Sequence, residues 1–358
     1  MVFVDDALDD PDALSGIDDV LQAIARGGAD VRRAWLAATE VLDRLSPSGR
    51  PRAVVTTGPE ARTLRTVLEP TSPVPVLAWT HGTHGTHGPH GTLPGWTGPL
   101  DLVVLLCGST HADELLAVAA EARRRGCEII VCAPPESPLV ETAGHGALVV
   151  PAGHEDTSAL GVVVLEALHR LALGPVVEPE HVADTLDAVA VRCGPRVHTD
   201  ENPAKQLAVA LAEDIPLVWG RTTLAAQAAI RVAEMLRRAT GRPAIAGTVE
   251  QLRPVLEHAP ERDLFADPIE SGGGSARPAV VLLDDDSGGG ASVEAGHAGD
   301  QLQTMAEQAA LRMVTVEADG GSEVARLASL FAQGRYVAAY LALGLGGYRG
   351  ETGLGSWP

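Results

Sequence analysis

The sequence is poor in lysine, in aromatic residues and in long apolar runs. Lys205 is the only lysine among the 27 basic residues, and aromatic residues make up 3% of the 358. The core must therefore be built from small aliphatic side chains, and the single compact ammonium stands out among arginine guanidinium groups. No apolar run approaches the roughly 18 residues that indicate a membrane-spanning helix. We therefore expect no membrane partner.

Features of secreted, disulfide-bonded or polyanion-binding proteins are also missing. The N-terminal run "MVFVDDALDD" carries acids where a signal peptide would be basic and then apolar. A formal net charge of −20 disfavours binding to nucleic acid. These observations predict a soluble cytoplasmic protein whose partner is a small molecule or another protein. Free thiols are predicted because no CxxC spacing relates the four cysteines, Cys107, Cys127, Cys132 and Cys193.

Short apolar runs alternate with helical stretches along most of the chain. Runs such as "RAVVTTG", "LDLVVLLCGS" and "IPLVWG" end in small or turn residues, and helical segments separate them. Because parallel strands need a crossover helix between them, this alternation predicts doubly wound parallel sheets covered by helices on both faces. The pattern occurs twice, and the chain is longer than one core usually organises. We predict an α/β protein with two tandem three-layer α/β/α domains, N-terminal helices and a C-terminal helix.

Changes in this pattern place the predicted domain boundaries. A break at "GG" divides the N-terminal helical segment, and glycine-rich stretches such as "ESGGGSARP" interrupt the second domain. The predicted parts are an N-terminal helical segment (1–46), a first domain (47–175), an inter-domain segment (176–204), a second domain (205–345) and a tail (346–358).

The loop after the strand that ends at Cys107 is the strongest candidate for ligand binding. Ser109, Thr110 and His111 precede a helix predicted to start near Ala112. Ligands of open parallel sheets bind beyond the carboxyl ends of the strands, and hydroxyl groups at a helix N-terminus can hold a phosphate. Simple capping of the helix is the alternative. In the loop after the first strand Gly58 can also contribute, but Glu60 makes that loop a weaker phosphate site.

Three segments resemble the bifunctional phosphoglucose/phosphomannose isomerases, a family built from two sugar isomerase (SIS) domains. They are "GPLDLVVLLCGSTHADELL", "CGPRVHTDENPAKQLAVALAEDIPLVWG" and "ARLASLFAQGRYVAAYLALGLG". The resemblance implies two SIS-like domains, a sugar phosphate as ligand and interconversion of aldose and ketose 6-phosphates through a cis-enediol. It implies no metal or nucleotide cofactor.

The resemblance also implies roles for individual residues. Asn202 and Lys205 match the family's inter-domain Asn-x-Ala-Lys segment, and Lys205 is expected to bind ligand or to fix the domain interface. Arg238 occupies the position of the family's catalytic base. Glu234, one helical turn earlier on the same face, is the candidate replacement, with an ordinary i, i+4 salt bridge to Arg238 as the alternative.

His258 is the candidate for the family's ring-opening histidine. The matched position itself is Pro254, and an ordinary solvated histidine is the alternative. Two functions therefore stay open: an isomerase of hexose 6-phosphates, or a non-catalytic sugar-phosphate sensor or scaffold. Such a sensor or scaffold would bind a mannose-6-phosphate isomerase or a sugar-nucleotide pathway enzyme as its partner. The apolar final helix predicts a homodimer in both cases.

Two other clusters could bind metal ions. The run "THGTHGTHGPHG" repeats histidine every three residues, but its glycines favour a simple repeat, or a pH-sensitive loop, over a fixed metal site. The acids in "LLDDDS" could bind Mg²⁺ or form a solvated turn. We predict no metal site. The four histidines are His81, His84, His87 and His90.

Overall fold

The computed structural model describes most of the chain. It covers residues 3–47, 49–80, 93–107, 112–153, 156–260, 276–285 and 293–346. Two predicted sites therefore lie outside the described residues: the histidine run, and the candidate phosphate ligands Ser109, Thr110 and His111. None of the helices found in the covered ranges has both the length and the apolar character to cross a bilayer.

Strands and helices alternate as the sequence predicts. The strands are β1 (Val54–Thr57), β2 (Val76–Trp79), β3 (Leu102–Leu106), β4 (Glu128–Ala133), β5 (Leu148–Pro151), β6 (Ile215–Gly220), β7 (Ile245–Ala246), β8 (Pro278–Asp284) and β9 (Met313–Glu317). The helices are α1 (Pro11–Ser15), α2 (Asp18–Ala25), α3 (Gly27–Leu42), α4 (Ala61–Leu68), α5 (Ala112–Arg124), α6 (Pro138–Ala143), α7 (Thr157–Arg170), α8 (Pro179–Cys193), α9 (Pro203–Ala210), α10 (Thr223–Thr240), α11 (Val249–Glu257), α12 (Val293–Gln308) and α13 (Glu323–Gly344), and a 3₁₀ turn spans Asp5–Leu8.

The described residues form two compact units, of which the first contains residues 26–184. Its sheet has five parallel strands in the order β2-β1-β3-β4-β5. The central strand β3 is buried along its whole length, as expected for an apolar run in a parallel sheet. Successive side chains of a strand point to opposite faces, so Val103 and Leu105 pack with α5 and α6 while α4 and α7 cover the other face.

The second unit contains residues 3–25 and 185–346. Its sheet has four parallel strands in the order β7-β6-β8-β9. Val280 and Leu282 pack with α11 and α12, whereas Val281 and Leu283 face the side of α10 and α13. The predicted α/β class with helices on both faces of parallel sheets is therefore confirmed in both units.

The N-terminal break is displaced from its predicted position. Helix α2 ends at Ala25 and α3 begins at Gly27, so the pair Gly27 and Gly28 lies in the first turn of a helix and does not separate two helices.

The final helix α13 is buried within the second unit. It packs on α9, α10 and the 3₁₀ turn, and both Tyr336 and Tyr340 are fully buried. Its apolar composition is thus satisfied within one chain. The homodimer prediction depends on an apolar helix surface that needs a partner chain. Because α13 is covered by its own chain, the homodimer stays a prediction without that argument.

Candidate functional site

The switch point of the first sheet lies between β1 and β3. From β1 the chain proceeds to β2 on one side, and it returns to β3 on the other side of β1. The connections that follow β1 and β3 therefore lead to opposite sides of the sheet. Open parallel sheets bind ligands at such a switch point, beyond the carboxyl ends of the strands. One of these connections begins with Gly58, and the other follows Cys107 and leads to α5.

Gly58 brings these two strand ends into close contact. Its φ is +92°, a backbone conformation that glycine adopts readily and other residues rarely do. A Cβ atom at this position would lie 2.3 Å from the carbonyl oxygen of Leu106. Glycine is therefore required both by the backbone angle and by the space beside β3.

The hydroxyl groups beside Gly58 serve the fold. Thr56 donates to the carbonyl oxygen of Ala61 at 2.9 Å, and Thr57 donates to that of Val104 at 2.9 Å. Both threonines are fully buried. Burial also raises the pKa of the Cys107 thiol, so this group stays neutral at neutral pH. These side chains shape the strand ends and are not available to a ligand.

Glu60 is a buried carboxylate in the loop after β1. Its side chain accepts a hydrogen bond from the Thr157 hydroxyl at 3.2 Å, and the residue is 1% exposed. A carboxylate here would add negative potential to this side of the switch point, and the weaker phosphate site stays a prediction. The sequence showed the glutamate, but its burial depends on Thr157, 97 positions away.

Asn202 and Lys205 are built into the beginning of α9. The Asn202 side-chain oxygen caps the helix by accepting from the N–H groups of Ala204 (3.0 Å) and Lys205 (3.1 Å), and its amide donates to the Gly194 carbonyl at 3.0 Å. The structure thus uses the polar atoms of Asn202 for helix capping. Its predicted contact with a ligand stays a prediction.

The Lys205 ammonium forms a buried ion pair with Asp9. Its Nζ lies 2.8 Å from Asp9 Oδ1 and 3.0 Å from the Pro195 carbonyl oxygen, and 5.5 Å above the Tyr340 ring centroid. The lysine side chain is 0% exposed. Burial acts to raise the Asp9 pKa, but hydrogen bonds from Lys205 and Thr199 outweigh it and lower that pKa. The lysine therefore joins the N-terminal segment to α9.

The two candidate acid/base residues are not brought together. Glu234 forms an ion pair with Arg238 at 2.7 Å, which is the alternative that the helix spacing offered. His258 follows the last turn of α11, is exposed, and its Nδ1 lies 2.9 Å from the Pro254 carbonyl oxygen. α10 and α11 cover opposite faces of the second sheet, and the roles of these two side chains stay predictions.

Side-chain contacts join the two strand ends at the switch point of the second sheet, between β6 and β8. The Thr222 hydroxyl donates to the Asp285 carboxylate at 2.7–2.8 Å and caps α10, and Arg221 lies 3.3 Å from Asp284. Burial raises the pKa of Asp285. Two acids of the suspected Mg²⁺ run thus have protein partners. In the part of the chain that the structure covers, no three acidic, histidine or cysteine side chains form a metal cluster.

Comparison with known families supports this architecture. Residues 200–347 match the family described as the bacterial phospho-glucose isomerase C-terminal SIS domain. A bifunctional phosphoglucose/phosphomannose isomerase from Caldicellulosiruptor bescii is 24% identical over 135 residues. That match spans 36% of this chain and 40% of the relative. The chain therefore aligns with less than half of this curated relative.

Solved structures with the same fold cover nearly the whole chain. The C-terminal domain of glucosamine-fructose-6-phosphate aminotransferase from Francisella tularensis superposes with a TM-score of 0.63 at 13% identity, over 91% of this chain and 96% of that one. Tagatose-6-phosphate ketose/aldose isomerase from Escherichia coli gives a TM-score of 0.58 at 13% identity, over 94% of both chains. At these identities the likeness establishes the fold.

Proposed function

We propose that this chain, a divergent member of the bifunctional phosphoglucose/phosphomannose isomerase family, binds a sugar phosphate at the switch point of its first sheet. The observation that carries the proposal is the close approach of Gly58 to Leu106. It joins the two strand ends at the position where α5 begins after a short loop. In a parallel sheet this arrangement presents backbone N–H groups to a ligand.

The phosphate is expected to lie on the β3 side of the switch point. Ser109 and Thr110 would donate hydroxyl hydrogen bonds to its oxygens, and His111 would add a donor before α5. The positive end of the α5 dipole favours a dianion there. The buried carboxylate of Glu60, held by Thr157, disfavours phosphate on the β1 side. The sugar hydroxyl groups would therefore face the Gly58 loop.

Ser109→Ala tests the binding site. We expect roughly 10- to 100-fold weaker binding, because a hydrogen bond to a charged group contributes about 1.5–3 kcal/mol. Isothermal titration calorimetry with fructose 6-phosphate, glucose 6-phosphate and mannose 6-phosphate measures the affinity. Ser15→Ala, in the second unit, removes an exposed hydroxyl and should leave the affinity unchanged. Absence of heat for all three sugars with the unaltered protein would contradict the proposal.

A sugar-phosphate sensor or scaffold is the second candidate function. An isomerase needs a base within hydrogen-bonding reach of the proton that moves between the first two carbons of the open-chain sugar. Here Glu234 is paired with Arg238, His258 binds a backbone oxygen, and Lys205 is held by Asp9. These internal contacts favour ligand binding without turnover.

Glu234→Gln distinguishes the two functions. If Glu234 is the base, a coupled assay of fructose 6-phosphate isomerisation should lose activity by about 100-fold or more in this variant, the usual contribution of a general base. Glu40→Gln, an exposed glutamate with the same i, i+4 arrangement toward an arginine, is the matched control. Thermal stabilisation of the unaltered protein by a sugar phosphate without turnover would support the sensor.

A further inference from the structure

The two sheets differ at one edge. In the first unit β5 pairs with the outer edge of β4, and α3 packs on β5. In the second sheet β9 has the position that β4 has in the first. Helix α9 comes before the first strand of the second sheet, as α3 comes before the first strand of the first sheet. Within the described ranges no strand pairs with the outer edge of β9. As far as the structure describes it, the second unit therefore has an unpaired edge where the first has a fifth strand.

Hydrogen bonding shows which backbone groups of β9 face outward. The N–H of Val280 donates to the Arg312 carbonyl at 2.8 Å, and the N–H of Ala318 donates to the Asp284 carbonyl at 2.8 Å. In a parallel ladder alternate residues bond to the same neighbour, so the groups of Thr315 point away from β8. The next outward carbonyl, that of Glu317, accepts from Gln333 Nε2 at 3.0 Å.

A cleft of about 650 Å³ lies beside this edge. Strand β9 contributes four consecutive residues to it, which means that the cleft follows the backbone edge as well as one face of the sheet. Helices α9 and α13 form its walls. Its lining is mainly aliphatic and includes Leu207, Val314, Val316, Leu330 and Val337.

The mouth of the cleft is acidic. Arg192 and Asp319 form a two-pronged ion pair, with nitrogen–oxygen distances of 2.9 and 2.5 Å, and so neutralise each other. The remaining charged residues of the lining are Glu201 and Glu317, both exposed. By the alternation of β9, the Glu317 side chain lies on the same face as that of Thr315, so it flanks the intervening positions of a strand added to this edge. An occupant with a positive charge near the carboxyl end of β9 is therefore favoured.

We propose that this cleft binds an extended peptide segment of another protein, which adds a fifth strand to the edge of β9. Strand addition uses the outward N–H and C=O of Thr315 for affinity, while alternate side chains enter an apolar groove for specificity. The peptide has aliphatic residues at alternate positions, facing the cleft beside Val314 and Val316, and a basic residue at an intervening position beside Glu317. An apolar lining with a free strand edge suits a peptide better than it suits a sugar phosphate.

Fluorescence anisotropy with labelled hexapeptides tests the proposal. The probe Val-Thr-Val-Thr-Val-Arg carries the required features, and Val-Thr-Val-Thr-Val-Glu reverses the terminal charge. Thr315→Pro removes one outward N–H without breaking the ladder to β8, since proline is compatible with that side of an edge strand. We expect binding of the arginine peptide to weaken about tenfold in this variant. A peptide with N-methylated valines should also fail to bind.

Glu317→Arg provides a second test that does not alter the backbone. Glu317 is exposed, so the variant is expected to fold as the unaltered protein does. It should weaken binding of the arginine peptide up to about fivefold and strengthen binding of the glutamate peptide by a similar factor at low salt. Circular dichroism checks the fold of both variants.

Four results would overturn the proposal. The first is that the arginine peptide does not bind at millimolar concentration. The second is that the arginine and glutamate peptides bind equally well and that neither Thr315→Pro nor Glu317→Arg changes their affinity. The third is a dimer by light scattering that Thr315→Pro dissociates, which would make the edge an interface between copies of this chain. The last is binding that requires removal of residues 347–358, which would make the chain's own tail the occupant.

Discussion

Replacing Lys205 with methionine is expected to lower the free energy of unfolding by about 1.5–3 kcal/mol, the usual contribution of hydrogen bonds to a charged group. The substitution keeps an apolar stem of similar length but removes the ammonium that contacts Asp9 and the Pro195 carbonyl. Asp9 then stays 24% exposed without its strongest partner. Urea denaturation followed by circular dichroism measures the loss.

The exposed pair Arg65–Glu69 is the control for this prediction. Its nitrogen and oxygen atoms lie 3.0 Å apart, but both side chains are about half exposed. Arg65→Met should therefore change the free energy of unfolding by about 0–1 kcal/mol. The double variant of Lys205→Met and Asp9→Asn should cost less than the sum of the single variants, because they share one interaction. An effect of Lys205→Met as small as that of Arg65→Met would refute the structural role.

The same pair makes stability depend on acid pH. The Asp9 carboxyl has its pKa lowered below the ordinary value of 3.8, because the Lys205 and Thr199 hydrogen bonds outweigh the effect of burial. A carboxyl with a depressed pKa in the folded state contributes stability above its unfolded pKa and loses it as pH falls through the folded pKa. The difference between the unaltered protein and Asp9→Asn should therefore shrink below about pH 4.

Gly58→Ala is expected to lower the free energy of unfolding by about 2–6 kcal/mol, since two separate costs add. An L-residue at a φ of +92° is strained by about 1–3 kcal/mol. The added methyl would lie 2.3 Å from the Leu106 oxygen, and crowding of this kind costs about 1–3 kcal/mol. The two strand ends at the switch point must then separate, so binding of fructose 6-phosphate should weaken as well.

Gly241 separates these two contributions. It has a φ of +68° at the end of α10, and no atom lies within 4 Å of an added Cβ. Gly241→Ala should therefore show the backbone strain alone, about 1–2 kcal/mol. Chemical denaturation of both variants gives the contribution of crowding at Gly58 by difference. Equal losses in the two variants would show that the contact with Leu106 is relaxed in solution.

The strands were predictable because parallel sheets bury both faces of a strand. β3 and β8 are continuous apolar runs, so their chemistry alone indicates their position in the sheet. Local pairs were predictable for a similar reason: Glu234 and Arg238 are four residues apart on one helix, and the structure brings them together. The second occurrence of the strand–helix alternation likewise indicated a second parallel sheet.

Contacts between distant positions could not be predicted from patterns of this kind. Lys205 was recognised as unusual, but its partner Asp9 lies 196 positions away in an acidic segment with no distinguishing motif. The burial of Glu60 beside Thr157 had no sequence signal either. Among the residues that the structure covers, the outer edge of β9 has no partner strand, and only the pairing in three dimensions shows this.

The buried position of Lys205 has a practical consequence for labelling chemistry. This residue carries the only side-chain amine of the protein, and it is 0% exposed in the folded chain. An amine-reactive ester can therefore acylate that ε-amino group only after the surrounding helices open. The rate at which this single site is modified reports how often the N-terminal segment detaches from α9, without any engineered probe.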